Sequence, residues 1–109
     1  METVTISSGR LLKEVLHSHS QWLSGVATAG RAILDRETLN GLPLAGLNLR
    51  SAILRGTALL DSDLTSSEFS SAEIDGSDFE RAVLTSADLS GALISASRFA
   101  FVIRQSYLP

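Results

Sequence analysis

The sequence predicts an all-β solenoid of about three and a half stacked square coils, 20 residues each, behind an N-terminal helical cap. Two ladders and one helical pattern predict it. Counting in fives from Leu34 gives Leu39, Leu44, Leu49, Leu54, Leu59, Leu64, Phe69, Ile74, Phe79, Leu84, Leu89, Ile94 and Phe99, so 14 consecutive positions are Leu, Ile or Phe. Two residues before each lies a second ladder, and from Ala52 to Ser97 every member of it is Ala, Ser or Thr. Sites five apart drift by about 140° on an α-helix and point to opposite sides of a strand. The period suits a short straight segment followed by a corner, with one large and one small side chain pointing inward. Four such segments close a 20-residue coil, and stacking coils buries the ladders in one core.

The elements follow in order. Residues 1–31 form the N-terminal cap. Within them ETVTI at 2–6 reads as a short strand on the first coil. Gly9 to Ser24 reads as a helix, because Leu12, Val15, Leu16, His19, Trp22 and Leu23 recur at three- and four-residue spacing. Ser7 or Ser8 is the expected N-cap and Gly25 the expected terminator. Residues 32–101 are the repeat. Glu37, Leu42 and Leu47 are too large or too polar for the small site, so the first coil is expected to be irregular. Residues 102–109 are a C-terminal cap or dimerisation tail: Phe99, Phe101 and Ile103 alternate in strand fashion, with Tyr107 and Leu108 following. They must cover the last coil, whose edge is otherwise open, or join a second subunit.

Segments such as Ala52-Ile53-Leu54-Arg55-Gly56, Ser77-Asp78-Phe79-Glu80-Arg81 and Ala87-Asp88-Leu89-Ser90-Gly91 resemble the pentapeptide-repeat family. The resemblance spans about Ala32 to Phe101 and points to a small bacterial or phage-type member. It implies a right-handed quadrilateral β-helix. It also implies that the C-terminal end can serve as a homodimer interface, as in some members. His19-x-x-Trp22-Leu23 ahead of Gly30-Arg31-Ala32 is similar to leaders of bacterial members.

Composition narrows the chemistry. The chain has 109 residues, no cysteine, 9 Lys+Arg against 12 Asp+Glu, and a net charge of −3. A thiol nucleophile or Cys-ligated metal is excluded, and direct nucleic-acid binding is not expected of an acidic chain. No apolar run reaches the ~18 residues of a membrane span, and METVTISSGR lacks the pattern of a signal peptide, so a cytoplasmic location is expected. His17 and His19 diverge on a helix and cannot share a metal. No catalytic residue, metal ligand or cofactor is expected. The serines are expected to fill small inward sites or turns. Asp35, Arg55 and Asp75, like Asp61 and Arg81, lie 20 apart and stack as charge columns.

The candidate interaction face is the outward column Ile33, Ile53, Glu73 and Leu93, three of whose four residues are apolar where the resemblance implies Asp or Asn. Stacked apolar residues form a patch, and on this reading Ile53→Glu leaves the chain folded while weakening binding. The column with Asn48, Glu68 and Asp88 reads as a solvated face. The expected function is a non-catalytic protein–protein interaction module or scaffold whose partner is another protein. The resemblance offers an alternative, a DNA mimic that binds a type II topoisomerase such as gyrase. Residues 33–101 hold 10 acidic and 5 basic side chains, but three and a half coils span only ~17 Å, so this reading requires a dimer. A third alternative is a small subunit, immunity or adaptor component of a larger phage or secretion assembly.

Overall fold

The computed structural model describes residues 2–100. Its repeat is a stack of four-sided coils. Ile33 pairs with Ile53, Thr38 with Ala58, Pro43 with Asp63 and Asn48 with Glu68, and this parallel register of 20 residues continues to the pair Asp78–Arg98. The two ladders point inward as the period requires. Leu34, Leu54, Leu64, Phe69, Ile74, Phe79 and Leu84 are buried, with Ala52, Ala72 and Ala82 beside them. Phe69 and Phe79 meet edge to face at 6.2 Å, and Phe79 stacks on Phe99 at 4.9 Å.

The strands expected of an all-β chain are reduced to single paired residues. No continuous strand forms among the described residues, because a corner interrupts the backbone after every third residue. Each corner has the same backbone. All thirteen second corner residues, from Arg36 to Ala96, have φ between 59° and 73°. A positive φ at the third position of a four-residue turn is the type II geometry. Five of the thirteen are glycine, which accepts this region without strain. At Gly76 a Cβ would meet nothing closer than the Gly56 nitrogen at 3.7 Å, so the backbone angle alone resists replacement. Gly76→Val is expected to cost about 1–2 kcal/mol, read as a shift in the urea midpoint.

The inward serines and threonines stitch the corners. The Thr57 N–H donates to Ser77 Oγ at 3.1 Å, and that hydroxyl donates to the Leu54 carbonyl at 2.5 Å. One hydroxyl thus bridges both ends of the corner in the coil beneath it. Ser97 does the same for the corner from Ile74 to Ser77, and Thr57 donates to the Leu34 carbonyl. Glu37 begins this column, where no coil lies below to offer a carbonyl. Its carboxylate instead accepts the Ser7 N–H at 3.0 Å and the Ser7 hydroxyl at 2.6 Å. The first coil is irregular as expected: Leu42 and Leu47 are only half-buried, and no hydrogen bond from either N–H closes its corner.

Helix α1, Leu12–Leu23, lies across the open end of the first coil and buries Leu12, Val15 and His19. Its C-terminus closes as expected at Gly25 (φ 89°): the Gly25 N–H donates to the Trp22 carbonyl and the Val26 N–H to the Gln21 carbonyl, the Schellman pattern. Two expectations for the N-terminus are corrected. The N-cap is Leu11, whose N–H donates to Glu14 at 3.3 Å, because Ser7 is committed to Glu37. The segment ETVTI packs Val4 and Ile6 against the core but forms no strand with the first coil: Thr5 pairs antiparallel with Leu11, folded back by a tight turn with Gly9 at φ 89°. Phe101, Ile103, Tyr107 and Leu108 lie outside the described residues.

Candidate functional site

The outward residue of a segment can tie down its own corner. Where it is Asp or Asn, its side chain accepts the backbone N–H two residues on: Asn48 from Arg50, Asp63 from Thr65, Asp78 from Glu80 and Asp88 from Ser90, at 2.9–3.2 Å. These are Asx turns. Thr65 and Ser90 add hydroxyl bonds of 2.6 Å, and these hydroxyl and N–H bonds hold the Asp63 and Asp88 carboxyls below their ordinary range. In the column expected to be a solvated face, Asn48 and Asp88 thus have a structural duty as well.

The face of Ile33, Ile53, Glu73 and Leu93 has no such turn, whereas each of the other faces has one or two. The structure places the four in one parallel column, and none is Asx. Its corner must find other partners: the Arg55 N–H donates to Asp35 Oδ1 at 2.9 Å while the guanidinium donates to Oδ2 at 2.9 Å. Burial of Asp35 opposes its ionisation, but the Arg55 bonds outweigh it and hold the carboxyl below its ordinary range. Asp75 makes no bond to Arg55; the expected column of alternating charge closes only at its lower pair. The second column, Asp61 and Arg81, forms a two-point pair at 2.8 and 3.1 Å.

The column does not form one exposed apolar stripe. Ile33 is 58% and Leu93 56% exposed, but Ile53 is 8% exposed and Glu73 separates it from Leu93. This corrects the expected use of Ile53→Glu as a surface substitution, since a carboxylate there is largely shielded from water. What remains is an apolar residue at each end of the face, and at the upper end Ile94, 40% exposed, lies next to Leu93.

The histidines separate as expected. His17 is exposed, and His19 is fully buried against the first coil. The Ala32 N–H donates to His19 Nδ1 at 2.9 Å, so the ring's proton sits on Nε2, which donates to the Arg50 carbonyl at 2.9 Å. Trp22 stacks on the imidazole at 5.6 Å, with Arg31 over the indole at 5.4 Å. Among the described residues no group of three or more His, Asp or Glu side chains converges as a metal site, and no helix is long and apolar enough to cross a membrane.

Sequence reading passed over Arg10 and Arg31. Together with Ile6, Val15 and Ile33 they line a groove of about 400 Å³ between the N-terminal hairpin and the first coil. A signal for them was present in the order of charges: residues 1–55 hold six basic and four acidic side chains, whereas residues 56–109 hold three basic and eight acidic. The rod is basic at its capped end and acidic towards the other.

A coil of pentapeptides stitched by small inward hydroxyls and outward Asx turns defines the class of protein. The sequence comparison agrees: the family model for pentapeptide repeats matches residues 44–80 and 69–99, and the chain belongs to that family. No curated protein matches the chain. Solved structures similar to it include HetL, a pentapeptide repeat protein involved in heterocyst differentiation regulation from the cyanobacterium Nostoc sp. strain PCC 7120, at 19% identity and a TM-score of 0.41, covering 68% of this chain and 45% of HetL. A pentapeptide repeat protein (Rfr23) of the cyanobacterium Cyanothece 51142 is 21% identical with a TM-score of 0.41, over 77% of this chain and 67% of that one. One from the thylakoid lumen of Arabidopsis thaliana is 17% identical with a TM-score of 0.31, over 73% and 70%. The chain thus spans less than half the length of HetL.

Proposed function

We propose that this chain is a non-catalytic interaction module, a right-handed quadrilateral β-helix that seats another protein on the face of Ile33 and Leu93. One observation carries the reading. Each of the other faces has at least one Asp or Asn that closes its own corner, at Asn48, Asp63 and Asp78, while this face has none, and its Ile33 and Leu93 stand 58% and 56% exposed. A residue that gives up a structural hydrogen bond to expose apolar surface favours a contact outside the chain. The inward serines and threonines supply no counter-argument for catalysis, because their hydroxyls are engaged by corner carbonyls.

The test compares wild type with Leu93→Glu in affinity capture from native lysate, after thermal melts show equal stability. Retention of one protein at fixed stoichiometry, reduced at least tenfold by Leu93→Glu, is the expected outcome. Equal retention by both proteins overturns this face. The topoisomerase reading draws on the acid-rich upper coils, and inhibition of gyrase supercoiling by wild type and Leu93→Glu alike would put it in place of the present one.

A further inference from the structure

The groove at the basic end deepens this reading and rests on it. We propose that it binds an extended acidic peptide segment carrying one aliphatic side chain, which adds as a further strand beneath Ile33.

The repeat itself fixes which way the backbone of Ile33 faces. One coil up, the Ile53 N–H donates down to the Ala32 carbonyl at 3.0 Å, and the Ile53 carbonyl accepts from the Leu34 N–H below it at 2.7 Å. Two coils up, Glu73 repeats both bonds with Ala52 and Leu54, at 2.9 and 2.7 Å. By the same register the N–H and C=O of Ile33 point out of the coil stack, away from Ile53. Among the described residues neither has a hydrogen-bond partner. Elsewhere on this edge His19 takes the Arg50 carbonyl and Pro43 has no N–H; the backbone groups of Thr38 and Asn48 face the same way, but of these edge residues only Ile33 lines the groove. An exposed edge with unpaired backbone groups is a template for strand addition.

The surroundings select the added strand. Ile6, Val15 and the exposed Ile33 side chain supply apolar wall, and Arg10 and Arg31 supply two cations. Both oxygens of the nearby Glu37 are already held by Ser7, so the groove carries a net positive charge. An aliphatic residue set over Ile33 continues the column that Ile53 forms above it, and carboxylates on either side reach the arginines. A volume of about 400 Å³ lies within the size of ligand pockets. It holds a short segment, and one paired residue is all that each face of this coil uses.

The experiment uses the full chain and fluorescein-labelled peptides in fluorescence anisotropy. The probe is acetyl-Asp-Glu-Ile-Asp-Glu-amide, the control the same peptide with lysine at the four acidic positions. Expected are at least tenfold tighter binding of the acidic peptide and weakening by salt. Ile33→Pro removes the donor; Pro43 occupies the equivalent outward position on another face of the same coil, so the backbone accepts it there. This variant should melt like wild type and bind at least threefold more weakly, since it loses the N–H bond and part of the apolar wall together. Arg10→Ala should weaken binding with its salt dependence reduced. Equal affinity for the two peptides, no binding of the acidic one, or unchanged binding by a folded Ile33→Pro overturns the proposal. Leu93→Glu stands at the far end of the face and should leave peptide binding unchanged, so failure of the groove and failure of the upper face are read separately.

Discussion

Replacing Leu64 by Asp should abolish folding. Leu64 is fully buried, in the inward column between Leu44 and Leu84, which are buried as well. The substitution removes a core leucine, worth about 2–5 kcal/mol when truncated, and leaves a carboxylate without a partner among aliphatic side chains, which adds several kcal/mol more. Together these match the whole stability of a domain of this length, about 5–15 kcal/mol. Circular dichroism and a thermal melt are the measurements, and a cooperative melt near the wild-type temperature would refute the register. Leu64→Ala gives the graded version, folded but weakened by about 2–5 kcal/mol. The contrast with the preceding residue sharpens the test. Asp63 already carries a carboxylate, exposed and bonded to Thr65 at 2.6 Å. One step along the chain moves the same charge from a position that closes a corner to one that destroys the core.

That sensitivity to a single step is why the repeat could be read without a structure. An inward side chain must be large at one place in five and small at another, and no other arrangement of these residues buries both ladders. The 20-residue register of Ile33 with Ile53 follows from the same count. What the period does not encode is what happens where coils end. Glu37 looks misplaced in a column of small residues until Ser7 is seen to hold it, and that contact joins residues 30 apart through an irregular hairpin. Ser7 was a reasonable helix cap by type, but a side chain can serve only one such partner, and Leu11 begins the helix instead. The outward residues were legible as a face and illegible as a surface. Ile33, Ile53 and Leu93 are alike in sequence, yet Ile53 lies between neighbouring coils on the same face while the other two stand towards the ends of the stack. The groove was harder still, since Arg10 and Ile33 meet only because the hairpin folds back beside the first coil.

The second large effect is expected at His19, where stability should fall as the solution is acidified from about pH 7.5 to pH 5. The buried ring is held neutral from both sides. Burial, the largest cause, lowers its proton affinity; the Arg50 carbonyl raises it in part, and the charge of Arg31 lowers it again. The geometry gives the same answer, since a proton on Nδ1 would confront the Ala32 N–H that now donates to it. An unfolded histidine takes up its proton near pH 6.5, and the folded one only at lower pH. Between those values the unfolded chain binds more protons, so stability rises with pH. The contribution is complete above about pH 6.5 and is lost as the pH falls towards the folded value. The carboxyls of Asp35 and Asp61, held below their ordinary range, act only in more acid solution, so the two windows separate. His19→Leu should abolish the upper window. It should also cost about 2–5 kcal/mol at neutral pH, because the Ala32 N–H and the Arg50 carbonyl both lose a buried partner. Urea midpoints of wild type and His19→Leu at half-unit intervals from pH 5 to 8 measure both. A flat wild-type profile over that range would show that the ring titrates in the folded chain as it does in the unfolded one, and the assignment of Nδ1 as an acceptor would fall with it.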